Sequence, residues 1–172
     1  MRILASDGMD KSAIAALQAE GHEVVEQFYE PAELAEQVKQ YDVLVVRSAT
    51  KVRAPIIDAA KETGRLKLVI RGGVGVDNID VKYAEENGIA VRNTPRASSN
   101  TVAELALAHM LSVARYISAA GYTMRTGKWE KKAYKGIELS GRTLGVIGYG
   151  RIGQALGRKA QALGMKVLAY DI

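Results

Sequence analysis

Three segments of the chain share one local pattern, in which a helix-like stretch is followed by a glycine and then by a short run of β-formers. The pattern occurs in "AIAALQAEGHEVV", "YAEENGIAVRN" and "RKAQALGMKVLAY". Gly21, Gly88 and Gly164 are therefore predicted to end a helix in the left-handed conformation just before a strand. Helices that alternate with strands in this way predict an α/β fold.

Two further segments, "YDVLVVRS" and "RLKLVIRGG", are short runs of Val, Leu and Ile without polar alternation. Such runs are typical of strands in a parallel sheet that is covered on both faces. We predict strands near 2–5, 23–25, 43–46, 67–70, 89–91, 143–147 and 166–169, and helices near 11–20, 31–40, 54–63, 81–87, 99–116 and 152–163.

The stretch after Pro95 interrupts the alternation. It reads "SSNTVAELALAHMLSVARYISAAGYTMRTGKW", opens with Ser and Asn, which are favourable N-cap residues, and continues as helix without a strand. We predict three parts: a parallel-sheet domain over 1–95, linking helices over 96–138, and a second α/β unit that starts at 139 and continues to 172.

Composition excludes several classes of function. The chain has no cysteine and only two histidines, His22 and His109, so neither a disulfide framework nor a metal site is expected. It has no apolar run long enough to cross a membrane and no signal-like amino terminus, which predicts a cytoplasmic protein with no membrane role. The net charge of +5 comes partly from "MRTGKWEKKAYKG", which we interpret as a solvated face and not as a nucleic-acid site, because Glu130 interrupts it.

A glycine pattern near the end of the chain predicts a dinucleotide site. Gly148, Gly150 and Gly153 form G-x-G-x-x-G between a predicted strand and a predicted helix. The first glycine makes the turn, the second admits a pyrophosphate close to the backbone, and the third packs the helix against the strand. The triplet alone would be weak evidence, but here it stands in the required context.

The residues after this turn complete the prediction. Free amides of Arg151 and Ile152 at the helix N-terminus are expected to bind the pyrophosphate. Asp171 ends the next predicted strand and is placed to accept hydrogen bonds from the adenosine ribose. Its charge would repel a 2′-phosphate, so we predict NAD as the cofactor.

The carboxyl ends of the earlier strands predict an anion site. Ligands bind at those ends in open α/β sheets. "RSATK" follows one strand and supplies Arg47, a permanent planar cation, and "RGGVGVDN" follows the next, with Gly72, Gly73 and Gly75 letting backbone amides approach a carboxylate. The alternative is that these glycines only make a tight turn.

Several stretches together resemble one family. "VVRSATKV", "LKLVIRGGVGVDNIDV", "GIAVRNTP", "TVAELALAHMLSVAR", "GKWEKK" and "LSGRTLGVIGYGRIGQALGRKAQALGMKVLAYD" resemble, in this order, the amino-terminal part of the D-isomer-specific 2-hydroxyacid dehydrogenases. The resemblance implies a flavodoxin-like substrate domain over 1–95, linking and dimerisation helices over 96–138, and the first βαβ unit of a Rossmann NAD domain over 139–172.

The resemblance also implies roles for individual residues. Arg47 would hold the phosphate or carboxylate of the substrate. The amides of Val74 and Gly75 would bind the 2-hydroxy acid's carboxylate beside the nicotinamide, so Val74 counts as both a substrate and a cofactor residue. Within the family, "RSATK" favours a phosphorylated hydroxy acid, and glyoxylate or hydroxypyruvate is the alternative substrate.

The family transfers hydride between C2 of a hydroxy acid and a nicotinamide, and it uses an arginine, a glutamate and a histidine downstream of the ribose-binding aspartate. The chain stops one residue after Asp171. The resemblance therefore implies a truncated enzyme with no dedicated catalytic residue of its own, inactive alone. A non-catalytic assembly or binding module is the alternative from another class.

Other candidate residues favour structural roles. His109 lies on the apolar stripe of its predicted helix and is expected to be packed or at an interface, while His22 is expected at the surface and Glu104 near a helix dipole. Trp129 is expected to anchor an interface, since the family dimerises through this region. Because the strand near 143–147 would have an open edge, we also expect a homodimer that covers it.

Overall fold

The computed structural model describes residues 1–172, which form two compact units, Met1–Ala97 and Ser98–Ile172. Each unit has its own sheet. We describe the two units separately.

The first unit alternates strands and helices from end to end. Its elements are β1 (Arg2–Ala5), α1 (Lys11–Ala19), β2 (Glu23–Glu26), α2 (Pro31–Gln37), a 3-10 turn (Val38–Gln40), β3 (Val43–Val46), α3 (Ala54–Thr63), β4 (Leu68–Arg71), α4 (Val81–Glu86) and β5 (Ala90–Asn93). The predicted helix over 31–40 is thus divided, because its last three residues tighten into the 3-10 turn. The other elements of this unit lie within two residues of their predicted bounds.

All five strands pair in parallel in the order β2-β1-β3-β4-β5. This is the flavodoxin-like order, and it confirms the predicted fold class. The order changes direction between β1 and β3, which are neighbours in the sheet, so a crevice opens where the carboxyl ends of these two strands diverge.

The two faces of this sheet are covered unequally. On one face α2, α3 and α4 bury a continuous core whose largest fully buried side chains include Leu4, Leu34, Leu44 and Val69. The remaining helix of this unit, α1, contributes no residue to this core and has no buried residue. A cavity of about 900 Å³ lies over the second face, lined by Ile3, Val43, Val45, Leu68 and Ile70 among others. The prediction of strands covered on both faces is therefore correct for one face and incomplete for the other.

The second unit consists of α5 (Ser99–Arg115), α6 (Ile117–Arg125), β6 (Thr143–Ile147), α7 (Arg151–Ala162) and β7 (Lys166–Tyr170). β6 and β7 pair in parallel and α7 connects them, which makes the predicted βαβ unit. A salt bridge of 3.3 Å between Lys159 and Glu104 joins α7 to α5. The small residues of α7 face inwards, where Gly153, Ala155, Gly157 and Ala160 are buried.

The helix predicted over 99–116 ends one residue earlier, at a sharp break. Tyr116 is the one non-glycine residue of the chain with a positive φ, +55°, and α6 starts immediately after it. The following loop fixes this bend, because the ring of Tyr134 lies 5.9 Å from that of Tyr116 and the amide of Ile137 donates to the carbonyl of Ala114 at 2.9 Å. Ser98 precedes α5 but its side chain caps no amide, contrary to the expectation from its residue type.

The glycines predicted to end helices have the expected conformation. Gly21, Gly88 and Gly164 have φ of +84°, +78° and +79°. Each follows the last turn of a helix and precedes a strand. Among all the helices, none combines the length and the apolar character needed to span a bilayer.

Candidate functional sites

The first site lies at the carboxyl ends of β3 and β4. Arg47 follows β3 directly, and Arg71 is the last residue of β4, paired with Val46. The Arg47 side chain is exposed and lines the large cavity, and its guanidinium takes part in none of the salt bridges of the chain. An unpaired guanidinium at this edge of a parallel sheet is available to an anionic ligand.

Two backbone carbonyls of the glycine-rich loop after β4 accept hydrogen bonds from residues at the carboxyl end of β5. The amide of Thr94 donates to the carbonyl of Gly73 at 3.0 Å, and the side-chain amide of Asn93 donates to the carbonyl of Val74 at 2.6 Å. The amides of Val74 and Gly75 donate to no group of the chain, and Val74 is 41% exposed. The structure therefore leaves free the two amides to which the family resemblance assigns the carboxylate.

Arg71 is a residue of this site that we did not predict as a ligand. Its guanidinium lies in the space that a Cβ at position 73 would fill, so a side chain there would displace it. Its buried Nε has no hydrogen-bond partner. The sequence contains a signal for this residue. The arginine of "RGG" ends a predicted strand, and that strand is adjacent in sequence order to the strand that precedes Arg47.

The second site is the turn between β6 and α7. Gly148 has a φ of +89° and its amide donates to the carbonyl of Tyr170 at 2.8 Å, which extends the β6–β7 pairing into the turn. Gly150 precedes α7, and a Cβ placed there would meet no atom within 4 Å. Gly153 packs against Val146 and the carbonyl of Gly148, where a Cβ would overlap that oxygen. The three glycines thus have the geometric roles that the dinucleotide pattern requires.

Backbone donors and one carboxylate surround this turn. No side chain caps the N-terminus of α7 and its first turn contains no acidic residue, so the amides of Arg151 and Ile152 remain open to an anion. Asp171 follows β7, and its Oδ2 accepts a hydrogen bond of 3.0 Å from the amide of Tyr149. The carboxylate is therefore fixed at the edge of the glycine turn.

The remaining candidates have no place at either site. Glu104 accepts from Asn100 at 2.7 Å besides its salt bridge to Lys159, so it joins helices and does not act on the N-terminus of α5 as expected. His109 is exposed and not packed within its unit. His22 is half-buried beside the N-terminal amine, 3.4 Å away, and not fully at the surface as expected. No group of three or more acidic or histidine side chains is arranged to hold a metal ion.

Comparisons with known proteins agree with this geometry. A hydroxypyruvate reductase of Thermotoga maritima is 52% identical over 171 residues, which is 99% of this chain and 55% of the relative. A D-3-phosphoglycerate dehydrogenase of Methanocaldococcus jannaschii is 48% identical over 99% of this chain and 32% of its own length. The crystal structure of cofactor (NAD+) bound 3-phosphoglycerate dehydrogenase in Entamoeba histolytica superimposes with a TM-score of 0.78 at 32% identity, covering 99% of this chain and 54% of that one.

The chain thus spans between a third and about half the length of these relatives. Residues 3–167 match the family model described as D-isomer specific 2-hydroxyacid dehydrogenase, catalytic domain. The match covers nearly the whole chain, and both glycine-containing sites lie within it except for Asp171. The chain belongs to the D-isomer specific 2-hydroxyacid dehydrogenase family.

Proposed function

We propose that this chain supplies the substrate-binding and cofactor-binding groups of an NAD-dependent D-3-phosphoglycerate dehydrogenase, an enzyme of serine biosynthesis. The observation that carries the proposal is the turn at Gly148–Gly153, which opens the N-terminus of α7 and is followed by a fixed carboxylate at Asp171. The glycine turn and Asp171 would hold NAD, which would supply the hydride-accepting nicotinamide.

The residues present fit the proposed cofactor. The open space at Gly150 admits a pyrophosphate, and the amides of Arg151 and Ile152 point along a helix N-terminus whose dipole favours negative charge. The carboxylate of Asp171 would accept hydrogen bonds from the hydroxyls of a ribose and repel a 2′-phosphate. These features support NAD over NADP.

The first unit supports a doubly anionic substrate. Arg47 directly follows β3 and Arg71 ends the neighbouring strand β4, and the free amides of Val74 and Gly75 lie in the loop after β4. A phosphorylated hydroxy acid carries a phosphate and a carboxylate, which matches a guanidinium site together with an amide site. This supports 3-phosphoglycerate as the substrate.

Hydroxypyruvate reduction is the second candidate, because the hydroxypyruvate reductase relative is more similar in sequence than the phosphoglycerate dehydrogenase. Hydroxypyruvate carries one carboxylate and no phosphate. It would therefore use the amides of Val74 and Gly75 while leaving Arg47 without a ligand group.

The 172-residue polypeptide is proposed to bind without turning over. Neither histidine lies at the carboxyl end of a strand, where the two sites are. The carboxylates beside the sites, Asp7 and Asp171, already accept hydrogen bonds from the backbone. A homodimer that covers the open edge of β6 is part of the proposal, as is an interface role for Trp129, which is 75% exposed. If the chain were instead a non-catalytic binding module, it would be expected to bind neither NAD nor a hydroxy acid.

Calorimetric titration with NAD and NADP tests the cofactor site. Gly150→Ala is sterically free and has an ordinary φ of −69°, so it is expected to leave the fold unchanged while weakening NAD binding at least about tenfold, because its methyl group fills the pyrophosphate path. Gly145→Ala, in β6 with equally open surroundings, is the matched control and should bind as the wild type does. Equal NAD affinity in all three proteins would contradict the proposal.

Asp171→Asn tests the preference between the two cofactors. Its amide oxygen can still accept from Tyr149, but the negative charge is removed. We expect the ratio of NAD to NADP affinity to fall towards one.

Arg47→Ala tests the substrate. It should weaken 3-phosphoglycerate binding and leave hydroxypyruvate binding unchanged. A wild-type chain that binds hydroxypyruvate but not 3-phosphoglycerate would favour the second candidate.

A further inference from the structure

The chain has three buried polar side chains, and all three surround one short turn. Ser6, Thr50 and Asn78 are 2%, 4% and 6% exposed. Thr50 is the last residue of the segment 47–50, which we call the Arg47 turn, and the other two contact this segment or its side chains. Buried polar groups are costly unless paired, so their concentration at a single turn indicates that its conformation matters.

Asp7, just beyond β1, holds the Arg47 turn by its amides. Oδ2 of Asp7 accepts from the amide of Arg47 at 2.6 Å and from the amide of Thr50 at 3.0 Å. Oδ1 accepts from the hydroxyl of Thr50 at 2.5 Å. One carboxylate thus bonds both ends of the turn across the crevice between β1 and β3.

The proton positions in this network follow from its chemistry. The hydroxyls of Ser6 and Thr50 lie 2.8 Å apart, and either could donate. A carboxylate only accepts, so the single proton of Thr50 goes to Asp7, and Ser6 must then donate to Thr50. Partial burial on its own would raise the pKa of Asp7, but the donors from Thr50 and from the backbone outweigh it and lower that pKa. The carboxylate therefore stays ionised at neutral pH.

Asn78 holds the same turn by its carbonyls. Its side-chain amide nitrogen donates to the carbonyls of Arg47 and Thr50, each at 2.8 Å. The orientation of the amide is fixed, because the opposite one would place its oxygen against two carbonyl oxygens. The amide oxygen of Asn78 is buried and has no partner, which costs desolvation free energy. The two donor contacts of its nitrogen offset this cost.

We propose that Asp7 and Asn78 are positioning residues that fix the backbone of the Arg47 turn and thereby direct the Arg47 guanidinium at an anionic ligand. The amide and the carbonyl of both end residues are bonded, so the turn has little freedom to swing its side chain away. This inference rests on the proposed function, in which Arg47 holds the substrate's anion. A fixed backbone lowers the entropy lost when a long side chain binds its ligand.

Two variants remove the contacts. Asp7→Ala removes all three acceptor contacts, whereas asparagine there could keep both backbone contacts through its amide oxygen. Asn78→Asp places a carboxylate against two carbonyls with little change of shape. Asp10→Ala is the matched control, because Asp10 also accepts backbone amides, those of Ser12 and Ala13, but touches no part of the Arg47 turn. Thr50→Ser keeps the hydroxyl that Asp7 needs and is expected to behave as the wild type does.

The first readout is amide hydrogen exchange in the 172-residue chain. In Asp7→Ala the amides of Arg47 and Thr50 should exchange at least about tenfold faster, while core amides such as that of Val69 keep their rates. Arg47→Ala should leave the Thr50 amide protected, since its side chain holds nothing in the turn. Unchanged exchange at positions 47 and 50 in Asp7→Ala would overturn the fixed turn.

The second readout is 3-phosphoglycerate affinity by calorimetry. Asp7→Ala and Asn78→Asp should weaken binding about tenfold, and the double variant Asp7→Ala with Arg47→Ala should bind no more weakly than Arg47→Ala alone. Additive losses, or full affinity in the single variants while Arg47→Ala is impaired, would overturn the positioning role. A wild-type chain that does not bind, or an Arg47→Ala variant that binds normally, would instead overturn the proposed function, even where exchange shows the turn still fixed.

Discussion

Alanine at position 148 should destabilise the second unit through the backbone alone. Gly148 has a φ of +89°, where a side chain is strained, and a Cβ there would meet no atom within 4 Å. No steric overlap therefore adds to the effect. A positive φ costs a residue other than glycine about 1–2 kcal/mol. Against this, alanine restricts the unfolded chain and stabilises the protein by about 0.4–1 kcal/mol.

Comparison with the matched variant Gly145→Ala cancels the stabilisation that alanine gives by restricting the unfolded chain. Gly145 lies in β6, also has open space around it, and has no positive φ. Both variants restrict the unfolded chain equally, so the difference between them isolates the cost of the backbone conformation. We expect Gly148→Ala to be less stable than Gly145→Ala by about 1–2 kcal/mol.

Thermal unfolding followed by circular dichroism measures this difference. For a chain of this size, 1 kcal/mol shifts the midpoint by about 2–4 °C, so the two midpoints should differ by about 2–8 °C. Gly150→Ala, at a φ of −69°, should have the same unfolding midpoint as Gly145→Ala. Equal midpoints for Gly148→Ala and Gly145→Ala would refute the claim that the first glycine of the turn is required for its conformation.

The remaining predictions concern acid stability, the core and assembly. Hydrogen bonds from the Arg65 side chain and the Arg2 amide lower the pKa of Asp42, and donors lower that of Asp7 despite its partial burial. Because these folded-state pKa values lie below the unfolded value of about 3.9, the carboxylates stabilise the fold above that pH and lose this contribution as the pH falls through the folded values. Urea midpoints should therefore drop below about pH 4, and a midpoint that rises in acid would contradict this. Leu44→Ala, at a fully buried site, should cost about 2–5 kcal/mol in urea unfolding, whereas a loss below 1 kcal/mol would mean that the core is not packed there. Sedimentation should detect a dimer, and a monomer at high concentration would refute the proposed cover of the β6 edge.

Local rules were sufficient to predict most of this fold. Gly21, Gly88 and Gly164 mark helix ends in the sequence because few residues other than glycine adopt a positive φ readily. Tyr116 adopts one as well, and its neighbours in "VARYISAAGY" are all compatible with helix, so nothing local predicts the break. The break depends on contacts with Tyr134 and Ile137, which follow some twenty residues later.

The sites were predictable where one motif contains both the backbone and the ligand group. The turn from Gly148 to Gly153 has the predicted glycine geometry, while the ligand roles of its residues stay predictions. Asp7 was missed because "ASDG" resembles an ordinary turn after a strand, and its partners at Arg47 and Thr50 lie forty residues away. Only the pairing of β1 with β3 brings these segments together.

The backbone conformation of Tyr116 alone sets the angle between α5 and α6. Changing its φ and ψ from +55° and +32° to the helical values near −63° and −42° would merge α5 and α6 into one straight rod about 40 Å long. The residues after α6 would then leave from the far end of this rod. An asparagine or glycine at this position would occupy the bent state at lower cost, whereas β-branched residues there should favour the rod.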